Sequence, residues 1–178
     1  MSFPVLHSPI TSAGIKYSLH HLQPFHVKLE GKGKDGLDLT VRVSFHSHVY
    51  SKADSDEATG HRFKDEGGKW REFCTDRYGW CVDLPVICTA MVEQNFPSWE
   101  SQDAGQKNNM AVSEAVPTSG LKYLIFYDLH PSQSSGIDVE LVVKSAYKKQ
   151  FFADRVGKRL KVHALLRTVL YKGVRMPK

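Results

Sequence analysis

Between Leu37 and Tyr50 apolar and polar side chains alternate. Leu39, Val41, Val43 and Phe45 fall on one side, and Thr40, Arg42, Ser44, His46 and His48 on the other. A period of two residues describes a β-strand with one buried face and does not fit a helix. Such a strand needs a partner, and Lys16 to Leu29, rich in aromatic and apolar residues and bent at Pro24, supplies one. The intervening Glu30 to Gly36 is a turn by composition. Gly31, Gly33 and Gly36 provide positive φ, and Asp35 provides a local side-chain bond. The expectation is a long hairpin.

Leu121–Leu129 and Ile137–Tyr147 carry apolar residues on both faces, as central strands do, and they flank the turn segment His130–Gly136. Asp83-Leu84-Pro85 is a helix start running to about Gln94, and Pro97 bars continuation past Phe96. Near the end, Val162, Leu165, Leu166, Val169 and Leu170 recur at helical spacing, with Gly173 as the stop. His163, Arg167 and Tyr171 lie beside that stripe. Residues 1–14 read as an irregular lead-in, Trp70–Tyr78 fits more than one element, and Ser51–Lys69 and Ser98–Gly120 read as long polar loops. The expected architecture is a single α+β domain over residues 1–178: an antiparallel sheet of about four strands with two or more packed helices.

Charge is distributed unevenly. Residues 1–119 hold 12 Lys/Arg and 15 Asp/Glu, a balance of −3. Residues 120–178 hold 12 Lys/Arg against Asp128, Asp138, Glu140 and Asp154, a balance of +8. A field this concentrated points to a polyanion, RNA first, or to an acidic protein such as an antidote. A solvated basic face is the plainer account. No basic–apolar leader opens the sequence, and its longest apolar stretch falls short of a membrane span. Three cysteines, Cys74, Cys81 and Cys88, form no C-x-x-C pair and no closed disulfide set. A cytoplasmic protein without membrane contact is expected.

Two constellations carry chemistry. His46 and His48, two apart on one strand, would share a face with Arg42 and Ser44, where two rings could hold a phosphate or relay a proton. A polar outer strand face gives the same pattern. Joining these histidines to the cysteines as a zinc site fails on spacing, so neither metal nor cofactor is expected. The second constellation begins at Lys144-Ser145-Ala146-Tyr147-Lys148-Lys149 and continues through Arg155, Lys158, Arg159, Lys161, His163 and Arg167. Metal-free RNA cleavage needs a base, an acid and a fixed cation at the phosphate. His46, His48, Tyr147, His163 and Arg167 are the catalytic candidates. Arg42, Lys144, Lys148, Lys149, Arg155, Lys158, Arg159 and Lys161 are the candidates for holding nucleic acid. Trp70, Phe73, Tyr78 and Trp80 could stack bases, although aromatic residues are more often core. The sequence contains no P-loop, dinucleotide fingerprint, H-E-x-x-H or G-x-S-x-G motif.

The stretches SFHSHVYS (44–51), RYGWCVDLPVI (77–87), VELVVKSAYKK (139–149) and RLKVHALLRTVLYKG (159–173) resemble a family of small bacterial plasmid and prophage proteins. That family is of the stationary phase growth adaptation type, and the resemblance implies no catalytic residues. The C-terminal part, a strand ending in Ser145-Ala146-Tyr147 among basic residues, is similar to RelE-like and barnase-like ribonucleases. The long N-terminal hairpin and the large polar loops depart from that group. The expected function is an RNA-directed protein, in its enzymatic form a metal-independent endoribonuclease of toxin type. The alternative is a non-catalytic module that docks on nucleic acid or an acidic protein.

Overall fold

The structure, a computed structural model, describes residues 4–103 and 106–178. The strands β1 (Ile10–Ser12) and β2 (Ile15–Tyr17) make a small separate hairpin. After a 3-10 turn at His20–Leu22, β3 (Phe25–Leu29) and β4 (Leu39–Phe45) pair antiparallel, with Val27 opposite Val41. A further 3-10 turn at Ser47–Val49 leads into β5 (Ser51–Ala53), β6 (Arg62–Lys64) and β7 (Trp70–Phe73), which form a three-stranded sheet in the order β5-β7-β6. Two helices follow, α1 (Thr75–Cys81) and α2 (Leu84–Glu93). Four strands come next: β8 (Pro97–Asp103), β9 (Gln106–Val112), β10 (Gly120–Pro131) and β11 (Val139–Phe151). The short strand β12 (Arg159–Lys161) runs directly into α3 (Val162–Lys172).

The α+β class is as expected, but the main sheet is larger and of a different kind. It has seven strands in the order β12-β8-β9-β10-β11-β4-β3. Its β11–β4 pair is parallel, so the sheet is mixed rather than antiparallel. Part of the increase comes from Ser98–Gly120, read as a polar loop, which supplies most of the β8–β9 hairpin. Its polar side chains sit on strands near a sheet edge, where composition is a weak guide. Ser51–Lys69 likewise contributes β5 and β6. Lys16–Leu29 is two short strands separated by a 3-10 turn, not one bent strand.

The helices follow their signals more closely. Pro85 sits in the first turn of α2 and Asp83 occupies the N-cap position, although its side chain makes no capping bond. Gly173 ends α3 in the left-handed conformation, φ 60°, and its N–H bonds Val169 O. Trp70–Tyr78 resolves into β7 followed by the start of α1.

Alternate residues of each strand build two different faces. On the first face Leu39, Val41, Val43 and Phe45 of β4, Ile125, Tyr127 and Leu129 of β10, and Leu141 and Val143 of β11 pack with all three helices in one apolar core. The second face bears Trp99, Met110, Val112, Leu124, Phe126 and Phe151, a smaller separate core. Farther along the same face lie Arg42, Asp128 and Glu140. Arg42 donates to both carboxylate oxygens of Glu140 (2.6 and 2.9 Å), directly across the parallel pair.

Two irregularities shape this second face. In the β10–β11 ladder Phe126 faces Ser145 while Tyr127 faces Val143, so Lys144 is the extra residue of a bulge. Beyond the reach of β9, the C-terminal tail takes its place beside β10. Leu129 and Met176 exchange two backbone hydrogen bonds (2.8 and 2.9 Å), and Arg175 reaches Asp128 at 2.8 Å. Among the described residues no helix is long and apolar enough to cross a membrane.

Candidate functional site

The strand carrying the two expected histidines ends earlier than its alternation suggests. His46 N–H still bonds Val143 O (2.9 Å), but the chain then turns at Ser47–Val49, so His46 and His48 do not stand side by side on a strand face. Two arginines clamp this turn. Arg77 Nη1 donates to the carbonyls of His48 (3.0 Å) and Ser51 (2.8 Å). Arg71 donates to Ser51 O (3.0 Å) and Ser51 Oγ (3.2 Å).

A polar centre forms between this turn and the β11 bulge. The His46 side chain is 4% exposed, and its Nδ1 lies 3.9 Å from Glu66 Oε2. Burial first, and the nearby Lys144 ammonium second, depress its pKa to about 4. His46 is therefore neutral at pH 7. Glu66 accepts bonds from Ser47 N–H (2.6 Å) and Ser47 Oγ–H (2.9 Å). His48 Nε2 lies 2.8 Å from Asp65 Oδ2. Burial lowers the His48 pKa despite that carboxylate, so the contact is a hydrogen bond to a neutral ring. The other Asp65 oxygen accepts the N–H groups of Gly67 and Lys69. Across the bulge Asp128 receives Arg175, and burial lowers the Lys144 pKa while Asp128 partly restores it.

The remaining catalytic candidates lie elsewhere. On α3, the His163 ring bonds Val92 O at 2.7 Å. Exposed Arg167 shares a small cavity with His163, Leu29, Lys32 and Leu39. That places them at the Leu39 end of β4, on the helix-covered face. His46 follows the other end of this strand, roughly 20 Å away at 3.3 Å per residue. His46 and His48 are brought near each other, Tyr147 lies beyond the bulge on the second face with Arg77 between it and the His48 turn, and His163 and Arg167 belong to neither place.

Tyr147 instead forms the floor of a groove. Its ring stacks on Phe126 at 5.2 Å and 24°, and the Arg77 guanidinium lies 4.9 Å from its centroid. The groove, about 230 Å³, continues over Met110 and Leu124 to Phe151, Phe152 and Val156, with Lys149 and Arg155 among its lining. Arg155 stacks on Phe152 at 4.7 Å, and Phe152 is 41% exposed. Ser101 and Gln102 of β8 form a polar rim.

The basic candidates separate by face and partner. Lys149 and Arg155 line the groove. Exposed Arg159 and Lys161 stand opposite Trp99 and Pro97 on the neighbouring edge strand, hence on the groove's face, and Lys158 is exposed in the connection before them. Lys148 lies over Trp80 on the helix-covered face. Arg42 is committed to Glu140, and Lys144 is half-buried in the polar centre. Of the aromatic group, Phe73 is buried in the main core with Tyr78 and Trp80 packed against it, while exposed Trp70 lies beneath Arg62 and Lys64.

Sequence reading missed Phe126, Phe152, Ser101 and Gln102. The signal for Phe152 was present: KKQFFADRVGKR (148–159) sets two aromatic residues inside the densest basic run. Phe126 had none, because an apolar residue in an apolar strand does not announce which face it takes.

Burial raises the Cys81 thiol to about 12 and pushes Cys88 up further, so both are protonated packing residues. Among the described residues no three His, Cys, Asp or Glu side chains group as metal ligands. The model of the YjaZ family matches residues 9–170. The chain belongs to the YjaZ family. That assignment replaces the likeness to plasmid and prophage growth-adaptation proteins and the likeness of the C-terminal part to RelE-like and barnase-like ribonucleases. The RelE-like comparison relied on a strand and its basic surroundings, a pattern that any basic sheet edge can present, whereas the YjaZ match spans nearly the whole chain. No curated protein and no solved structure matches the chain.

Proposed function

We propose that this member of the YjaZ family is a binding module for single-stranded nucleic acid, RNA in the first place, and not a nuclease. The observation carrying this reading is the groove at Tyr147. An aromatic floor is flanked by Lys149 and the stacked Arg155–Phe152 pair, with Lys158, Arg159 and Lys161 exposed alongside. Single-strand binders combine these two elements, a cationic track for phosphates and aromatic faces for bases. A larger cavity, about 370 Å³, lies between residues 5–10 and the small sheet; its lining sets Lys64 against Asp65 and Glu66, so it lacks the cationic track a polyanion needs.

The positions of the titratable groups support binding without cleavage. An acid–base pair must reach the same phosphate. His46 is buried and neutral, His48 is bonded to Asp65, and His163 is bonded to a helix carbonyl on the other face.

The test is fluorescence anisotropy with a labelled single-stranded RNA over a salt series. Three phosphate contacts give a slope of about −2 in log K against log salt. Replacing Lys149, Arg155 and Arg159 by alanine together should flatten that slope. Affinity that is indifferent to salt, or to the triple substitution, refutes the reading. Cleavage of the RNA by pure protein that is lost in His46→Asn or His48→Asn would restore the enzymatic alternative.

A further inference from the structure

We propose that the groove holds one unstacked base, inserted between Phe152 and the Phe126–Tyr147 floor with its polar edge toward Gln102 and Ser101. The inference rests on the nucleic-acid reading and goes further by naming what enters the cavity.

Its size is the first argument. About 230 Å³ is below the roughly 300–1,000 Å³ of sites for drug-sized molecules, so one heteroaromatic ring system fits better than a run of stacked nucleotides. The second is the division of chemistry around the cavity. Phe152 and the accessible part of Tyr147 offer apolar and π surface above the nearly buried Leu124 and Phe126, while Gln102 and Ser101 offer both donors and acceptors at one rim. A base has this same division, with apolar faces and a hydrogen-bonding edge. The third is charge. Lys149 and Arg155 line the cavity itself, so a base inside would bring its own phosphate to two cations. An apolar peptide side chain would leave both cations without a counter-charge.

Phe152 is the best point of attack, because it is 41% exposed and its removal leaves the smaller core in place. The experiment compares two labelled probes by anisotropy: a hexamer of RNA, and a ribose-phosphate hexamer with no bases. The base-bearing probe should bind about ten-fold more tightly, the lower part of the range for stacking one base. Phe152→Ala should remove that advantage, while the abasic probe, tied to Phe152 only through the Arg155 stack, weakens by a clearly smaller factor. Lys149→Ala should weaken both probes by the same factor. Equal, salt-sensitive binding of the two probes overturns the base site and spares the binding module. Failure of both probes to bind overturns both. Equal weakening of the two probes by Phe152→Ala also overturns the site, since the ring would then be shaping the groove and not touching a base.

Discussion

Tyr127 and Asp128 are neighbours on β10, both nearly inaccessible, and they point to opposite faces of one sheet. Tyr127 lies in the helix-covered core, and its hydroxyl donates to Ser98 Oγ at 2.8 Å. Asp128 faces Arg175 and the bulge that carries Lys144. The first face buries few polar atoms, and at Tyr127 the partner that meets the hydroxyl is neutral. The second buries a carboxylate in company with cations, a costlier arrangement that repays its desolvation only through well-made pairs. Stability should therefore be concentrated on the first face, and sensitivity to pH and ligands on the second.

The largest expected effect tests the first half of that contrast. Leu166 of α3 is fully buried against the sheet. Leu166→Ala should cost about 4 kcal/mol in urea unfolding, from lost transfer energy and a residual cavity. A cost below 1 kcal/mol would mean that the helix layer is not the main source of stability.

Acid titration tests the second half. His46 has its pKa depressed from 6.5 to about 4 in the folded chain, among Glu66, Lys144, His48 and Asp128. The unfolded chain therefore takes up a proton that the folded chain refuses. Stability from this source is complete above pH 6.5 and declines as pH falls toward 4, by about 3 kcal/mol in all. His7 and His48 shift in the same direction and steepen the decline. His46→Asn should shrink it, and an unchanged pH profile in that variant would remove His46 from the account.

The Arg42–Glu140 pair comes next. Its side chains are 15% and 6% exposed, and Ser132 also donates to Glu140. Glu140→Gln leaves a guanidinium poorly paired on the second face and should cost about 2 kcal/mol, below the figure for a fully buried pair because Arg42 keeps some water. A neutral result would class the pair with exposed ion pairs.

How much of this contrast was legible depends on which residues report their own neighbours. Val41, Val43 and Phe45 announce a buried strand face by period, and the stripe from Val162 to Leu170 announces α3, because each pattern is local. The β11–β4 pairing was not legible. Val139 and Val41 are far apart in sequence, and an apolar strand reads the same beside a parallel or an antiparallel neighbour. Polar Ser98–Gly120 hid the β8–β9 hairpin, because strands near a sheet edge need less of the apolar content that marks central ones. At the candidate site Lys149 and Arg155 were found by charge, and Tyr147 by its setting among lysines. The groove also needs Met110, Leu124 and Phe126 from β9 and β10, which only the sheet register brings together. His163 and Arg167 show the converse error. They share the basic segment in sequence, yet α3 carries them to the other face.

The smallest expected effect on stability separates the groove from both faces' structural duties. Lys149 and Arg155 are exposed, and neither forms an ion pair among the described residues. Replacing Lys149 by alanine should change unfolding free energy by less than about 0.5 kcal/mol, the usual range for surface sites without special contacts, and replacing Arg155, which also gives up its stack on Phe152, by no more than about 1 kcal/mol. The same two substitutions should weaken single-stranded RNA binding measurably at low salt and less at high salt, because the lost contribution is counterion release. Two readouts moving apart, binding lost and stability kept, is what a surface maintained for a ligand requires. If both fall together, Arg155 is holding the 152–158 connection over the groove through its stack on Phe152, and the cations there serve the fold.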